Sequence, residues 1–372
     1  MKCKFLTEIT LKNPIPRSIW TKEGDEPFVQ IIDQRFLPHE SRVNDLKSTR
    51  DCERAIKDME VRGAPLIGVT AAFGMYFAAK ESLRHDDGQT CLNKKAGFLK
   101  QTRPTAVNLM WAVDKQMELA KSHGFNEELP EALWNNAIKL MEEDAEVCKK
   151  IGEYGLELIK EISAKKNGEP VNILTHCNAG SLAVIEWGTA TAPIYQAYLQ
   201  GINVHVWVDE TRPRNQGANL TAYELGVANV PHTLIVDNAG GHLMQHGQVD
   251  ICFVGCDRVT STGDVANKIG TYLKALAAND NNVSFYVCLP SSTIDWEIKD
   301  GVSEIEIEER SDDEVRYIQG KESGEVKQVL ICPESTPGYN IGFDVTPARL
   351  VTGLITERGI CEASEEGLKK LF

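Results

Sequence analysis

Cys177, in Thr175-His176-Cys177-Asn178-Ala179-Gly180-Ser181, and Asp257, in Gly255-Cys256-Asp257-Arg258, are the two residues whose type and setting point most directly to chemistry. Each follows a short apolar run of strand length, 172–175 and 251–254, and each opens a polar turn. A carboxyl at the end of an apolar strand is costly unless it is hydrogen-bonded or used as an acid. In a closed apolar site such a group holds its proton near neutral pH and serves as a general acid. The thiol reads as lying near the N-terminus of a helix over 182–200, where the helix dipole favours thiolate. The bland readings are a structural cysteine, as for Cys252, Cys288 and Cys332, and an Asp257 that pairs with Arg258 or caps a helix.

Three basic or amide elements have the form of an anion site. Arg62-Gly63-Ala64 precedes a long apolar stretch, and Arg103-Pro104-Thr105 precedes a second helical one. Asn267-Lys268 falls in the first turn of a helix expected over 265–278, with Asp264 as its cap. Arginine beside helix N-terminal amides is a common way to hold phosphate, although each element alone also fits surface charge. The metal reading is weak. His242 and His246 have HxxxH spacing, but Leu243-Met244-Gln245 stand where zinc hydrolases carry a glutamate. No GxGxxG or GxxxxGK[ST] loop follows a strand, so no nucleotide loop is expected.

These residues need a scaffold, and the pattern supplies one. Residues 1–50 contain short alternating segments (18–20 and 28–32) split by Pro and Gly, a small β structure. Helical periodicity follows over 51–60, 65–83, 105–123 and 130–164, with 84–95 read as a solvated loop. Near residue 165 the period changes, which divides the chain into an N-terminal β/helical domain, 1–165, and a second domain, 166–372. In the second, strands at 172–175, 204–208, 233–236, 251–254 and 284–289 alternate with helices at 182–200, 218–228, 241–248 and 265–278. Alternation of that kind predicts an α/β fold with a doubly wound parallel sheet. The strand ends, 176–178, 209–212, 237–238, 256–258 and 290–292, then line one crevice. The tail is read as a β segment at 305–307, an acidic loop at 308–314 and a helix over 347–358.

Composition is that of an ordinary soluble globular protein: 42% hydrophobic and 25% charged residues. The formal charge of −14 argues against a nucleic-acid surface, which needs a basic face, but allows a local basic pocket for a small phosphate. Ten scattered cysteines and an N-terminus without an apolar signal core point to free thiols in a reducing cytoplasm. The uncharged run 63–79 is shorter than the ~20 residues of a membrane span and reads as a buried helix.

The motifs taken together resemble the methylthioribose-1-phosphate isomerase family, within the superfamily that includes the α, β and δ subunits of the initiation factor 2B exchange factor. The resemblance rests on IDQRFLP (32–38), VRGAPLIG (61–68), TRPTAVNLMWA (102–112), LTHCNAGSLA (174–183), DETRPRNQGANLTAYEL (209–225), GCDRVTSTGDVANKIGT (255–271), IEIEER (305–310) and FDVTPARLVTGLITERG (343–359). It implies a Rossmann-like second domain, a homodimer and a small phosphorylated sugar as substrate, with no cofactor. It further implies that Asp257 donates a proton to the ring oxygen and that Cys177 is the second acid/base group or a transition-state stabiliser. Arg62, Gly63, Ala64, Arg103, Gln216, Asn267 and Lys268 then bind substrate and phosphate. The chain departs from the family at Cys256, where alanine is usual, and at Asn340-Ile341-Gly342-Phe343-Asp344, where NPAFD is usual. A changed 5-substituent preference, as in a 5-deoxyribose 1-phosphate or ribose 1,5-bisphosphate isomerase, stays open. So does a non-catalytic regulatory subunit.

Overall fold

The computed structural model describes residues 17–24, 26–103 and 107–372, so the first sixteen residues of the expected N-terminal β structure and the Pro104-Thr105 step lie outside the described residues. The chain packs as two compact units: residues up to Glu146 with Ser181–Gly188, and Val147–Gly180 with Thr189–Phe372.

In the first unit, β1 (Ile19–Lys22), β2 (Phe28–Ile32) and β3 (Val43–Leu46) form an antiparallel sheet in that order. Helices α1 (Thr49–Lys57), α2 (Ala64–Ser82), α3 (Gly88–Gln101), α4 (Val107–His123) and α5 (Leu129–Lys165) come after it. Nearly every position of α2 from Leu66 to Ala79 is buried, as its all-round apolar surface requires. Gly68 lets α2 and α4 approach, since a Cβ there would sit 2.9 Å from the Asn108 carbonyl oxygen. The segment expected as a solvated loop is largely α3. Asp87 caps it by accepting from Thr90 N, and Leu92, Ala96 and Leu99 give it a buried stripe inside a polar composition.

The second unit opens with β4 (Val171–Thr175), α6 (Ala192–Leu199), β5 (Val204–Asp209), α7 (Ala222–Val227), β6 (His232–Ile235) and α8 (Ala239–Gln245). It continues with β7 (Ile251–Val254), β8 (Arg258–Thr260), β9 (Val265–Lys268), α9 (Thr271–Asp280), β10 (Ser284–Cys288) and β11 (Ile294–Asp295). The hairpin β12 (Tyr317–Glu322) and β13 (Glu325–Leu330), then β14 (Phe343–Thr346), β15 (Gly353–Thr356), β16 (Gly359–Cys361) and α10 (Glu365–Leu371) complete it. A seven-stranded sheet runs β16-β15-β10-β7-β4-β5-β6, parallel except for β16. The mixed α/β fold with its doubly wound parallel sheet is therefore as the alternation predicted. Succession goes one way from β4 through β5 to β6 and the other way from β7 through β10 to β15. The switch point lies between β4 and β7, where open sheets of this kind place a ligand crevice beyond the strand C-termini.

Several elements differ from expectation. Residues 265–268 form β9, paired with β8 and β14, and the helix starts only after Gly270 turns the chain at φ +101. Asp264 caps no helix there; its carboxylate accepts from Gly301 N and Ala348 N at 3.0 and 2.9 Å. The helix expected from 182 begins at Ala192, because Trp187 and Gly188 adopt φ +72 and +79 and Pro193 belongs in a first turn. Residues 217–221 form a π turn ahead of α7. The stretch 347–358 forms no α-helix: a 3-10 turn, Ala348–Leu350, leads into β15, whose pairing with β10 buries Leu354 and Ile355 completely, and that outweighs a helical spacing. No described helix is long and apolar enough to cross a membrane.

Candidate active site

Cys177 lies two residues beyond β4 and Gly255 one residue beyond β7. The two strands are neighbours in register, Ile173 opposite Ile251 and Leu174 opposite Cys252. The loops after them touch: a Cβ on Gly255 would lie 2.5 Å from the Ala179 methyl. Cys177 is 8% exposed and holds φ +63, a conformation that side chains rarely adopt. Two threonines brace it there. Cys177 N donates to Thr211 Oγ1 at 2.8 Å, and Thr221 Oγ1 donates to the Cys177 carbonyl at 2.7 Å. Thr211, at φ +64, in turn donates to the Asp209 carbonyl, while its own N–H reaches Asp237 Oδ1 at 2.7 Å. No α-helix begins at Cys177; the chain passes instead into a three-residue 3-10 turn, Ser181–Ala183. The expected helix dipole at its thiolate is therefore missing, and the fold supplies a fixed backbone in its place.

The next layer is a buried carboxyl. Asn178 Nδ2 donates to Glu224 Oε1 at 2.9 Å and the Tyr195 hydroxyl to Glu224 Oε2 at 3.2 Å. Gly180 is glycine because a Cβ would run into that carboxylate. Burial, with Glu224 beside it, pushes the Tyr195 phenol well up, so it remains a donor.

Asp257 is exposed, which corrects the expectation of a closed apolar setting; its N–H donates to the Ala266 carbonyl at 3.0 Å. Arg258 lies 3.8 Å from Asp295. Cys256 is half-buried with its Sγ directed to the Ala266 carbonyl at 3.8 Å. Burial and the charge of Asp257 push its thiol well up, so it is a poor thiolate.

Gln216 precedes the π turn and is 5% exposed, and its buried Oε1 has no hydrogen-bond partner among the described residues. An unpaired buried amide oxygen leaves an acceptor open to a ligand or a water. The turn is as tight as it is because Gly217 abuts the Asp209 carbonyl, where no Cβ fits. Asn267 and Lys268, expected on a helix, lie on β9. Asn267 Nδ2 donates to Thr271 Oγ1 at 3.0 Å. Lys268 Nζ donates to the Gly342 carbonyl at 2.9 Å and sits 4.3 Å from the Phe343 ring centroid. The loop that departs from NPAFD thus holds Lys268.

Beneath these loops His176, Asp209 and Asp237 cluster closely enough to bind a metal ion. Lys274 Nζ already lies 3.1 Å from Asp209 Oδ2 and donates to the Asp237 carbonyl, so an ammonium supplies the positive charge there. His242 and His246 stack with ring centroids 4.1 Å apart on α8, while Cys252 is wholly buried in β7.

The remaining candidates belong to the first unit. Arg62 is half-buried just before α2, Gly63 is its N-cap at φ +93, and Ala64 is its first residue. Gly63 packs on the Ala183 main chain where a Cβ would collide. Arg103 is half-buried beyond α3. Ser181–Gly188, next in sequence after the Cys177 loop, also packs in this unit: Ser18 Oγ and Gln34 Nε2 donate to the Ser181 and Leu182 carbonyls at 2.6 and 2.7 Å.

Thr211, Thr221, Glu224 and Tyr195 were not legible as site residues. Thr211 stood among the strand-end residues, but nothing in a sequence announces which hydroxyl will meet a backbone 34 residues away. The one usable signal was the density of polar residues through 209–224, unusual for the start of a helix.

Comparison with known proteins identifies the family of the chain. Residues 60–363 match the initiation factor 2 subunit family. The chain is 58% identical over 357 residues to the methylthioribose-1-phosphate isomerase of Desulfatibacillum aliphaticivorans, covering 96% of both. It is similar to the crystal structure of 5-methylthioribose 1-phosphate isomerase from Pyrococcus horikoshii OT3, with TM-score 0.83, 39% identity and 96% of each chain covered. It is also similar to translation initiation factor eIF-2B, subunit delta, from A. fulgidus, with TM-score 0.80 and 38% identity over 95% of this chain and 98% of that one. The chain belongs to the initiation factor 2 subunit family, within its methylthioribose-1-phosphate isomerase branch.

Proposed function

We propose that this protein is an aldose–ketose isomerase that converts 5-methylthioribose 1-phosphate into 5-methylthioribulose 1-phosphate. The observation that carries the reading is the meeting of the Cys177 and Asp257 loops at the β4/β7 switch point, in a chain 58% identical to isomerases of that name. The anomeric phosphate blocks ordinary ring opening. Asp257 protonates the ring oxygen, and the bond from that oxygen to C1 breaks. Hydrogen then moves from C2 to C1 by one of two routes. In the first, Cys177 takes the C2 proton, an enediol forms, and a proton returns to C1 as the C2 hydroxyl becomes the carbonyl. In the second, the C2 hydrogen shifts as hydride to the electron-poor C1, and the C2 oxygen then loses its proton. Either route ends with an open ketose phosphate and no net change in protons. Asp257 is solvated in the free chain, so substrate seated over it supplies the desolvation that general-acid work requires.

Gln216, Asn267 and Lys268 bind the sugar phosphate in this reading, and the resemblance assigns substrate binding to Arg62, Gly63, Ala64 and Arg103 as well. The unpaired Gln216 Oε1 supports a sugar hydroxyl as its partner. The reaction uses neither metal nor organic cofactor, in keeping with the Lys274 ammonium held against Asp209. The protein acts as a cytoplasmic homodimer without nucleic-acid or membrane partners, which the charge of −14 and the branch it belongs to support. The similarity to an initiation factor 2B delta subunit favours a non-catalytic role as second reading.

Proton NMR decides between them, in EDTA-containing buffer with methylthioribose-1-phosphate and 5-deoxyribose-1-phosphate offered separately. We expect turnover by the wild type and a loss of at least ~100-fold in C177S and D257N. Well-folded protein that converts neither sugar would sink the isomerase reading. Repeating the reaction in deuterium oxide separates the routes, since only proton transfer through an exchanging group places deuterium on C1.

A further inference from the structure

His176 is wholly buried, so it touches no substrate, yet it links the two segments that carry proposed site residues. Its Nδ1 lies 3.1 Å from Asp209 Oδ2 at the end of β5, and its Nε2 lies 2.8 Å from the Ile269 carbonyl. Cys177 is the next residue after His176, and Ile269 is the next after Lys268. A carbonyl oxygen only accepts, so Nε2 carries hydrogen and donates. Nδ1 faces Asp209 Oδ2, which also lies 3.1 Å from the Lys274 Nζ. The ring thus bridges the Cys177 strand and the β9–α9 junction. Gly270 completes the fit. A Cβ there would come within 3.0 Å of His176 Cε1, and the turn needs φ +101.

We propose that His176 is a positioning residue: through the Ile269 carbonyl it clamps the main chain of Asn267-Lys268 to the strand end that bears Cys177. The catalytic consequence rests on the isomerase reading; the clamp itself does not. Its energetic logic is that of a site held to within a fraction of an ångström by groups behind it.

The two bonds are separable by substitution. Glutamine puts its amide nitrogen near the place of Nε2 and keeps the Ile269 bond; asparagine puts it near Nδ1 and keeps only the Asp209 bond. Amide hydrogen exchange on the full chain, read over 268–273, and steady-state kinetics are measured for H176Q and H176N, with melting curves as a check on folding. We expect H176N to exchange on the order of tenfold faster over 268–273 and H176Q to stay close to wild type. H176N should also raise KM about tenfold with a smaller loss in kcat, and H176Q should restore it. Equal exchange in the two variants, or the reverse order, overturns the clamp. Raised exchange in H176N with KM and kcat unchanged overturns the positioning role. If H176N does not fold, H176A against H176Q makes the same comparison. A wild type that fails to isomerise the sugar defeats the isomerase reading, while the exchange comparison still decides the clamp.

Discussion

Cys177 and Thr211 both hold left-handed backbone, at φ +63 and +64, and each costs on the order of 1–3 kcal/mol of strain. The strain persists because one hydroxyl serves both: Thr211 Oγ1 accepts from Cys177 N and donates to the Asp209 carbonyl. Removing that hydroxyl should loosen the thiol without unfolding the unit. T211V is expected to lower kcat at least about tenfold with KM little changed, and T211S to keep most of the activity; equal kcat in both variants would mean that the hydroxyl does not position the thiol. Gly217 is a harsher test of the same neighbourhood. G217A puts a methyl into the Asp209 carbonyl and should cost at least ~2 kcal/mol, seen as a lower midpoint in denaturant.

At the level of elements, Lys268, proposed to bind substrate, lies just ahead of the turn that begins α9. Asp344 accepts from Gly270 N at 2.7 Å and Tyr272 N at 3.2 Å, so a side chain from β14 caps α9 across the sheet edge. D344A should destabilise the second unit by about 1 kcal/mol. Gly342, one of the departures from the family pattern, behaves differently. A Cβ there would meet Arg310 Cδ at 3.6 Å, ordinary contact, and the carbonyl that holds Lys268 would be kept. G342A should therefore leave KM and the ratio between the two sugars within about twofold; a larger shift in that ratio would make this loop a specificity element.

For the molecule as a whole, pH bears on the first unit through Asp144. Its carboxyl accepts from Ile185 N at 3.0 Å, and desolvation pushes it up to about 7 from an ordinary 3.8. A carboxyl whose pKa rises on folding favours the folded state below its ordinary range, and that contribution is lost as pH climbs through the folded value. Between about pH 4 and pH 7 this group therefore lowers stability as pH rises. D144N keeps an acceptor for Ile185 and cannot ionise. We expect its melting temperature to exceed wild type by a few degrees near pH 8, with the gap closing near pH 4; a gap independent of pH would be evidence against the assignment. The homodimer is a prediction at the same scale, testable by light scattering as a mass twice the 41.2 kDa chain.

Strand positions in the parallel sheet were legible because a buried parallel strand is a short apolar run between turn residues, and β7 matches its expected 251–254 to the residue. The polar residues beyond those strands, Cys177 and Asp257 among them, came out of the same pattern. The sequence by itself determined the fold class, the family and the identity of the strand-end residues. Tertiary structure decided what lies next to what. Residues 265–268 became a strand because β8 and β14 were there to pair with it, and 353–356 did so because β10 was. Cys177 lost its helix and gained two threonines, and Lys274 came to rest against Asp209. Local pattern reports which face of an element is apolar; which partner satisfies a backbone amide or a buried charge is settled only when distant segments meet.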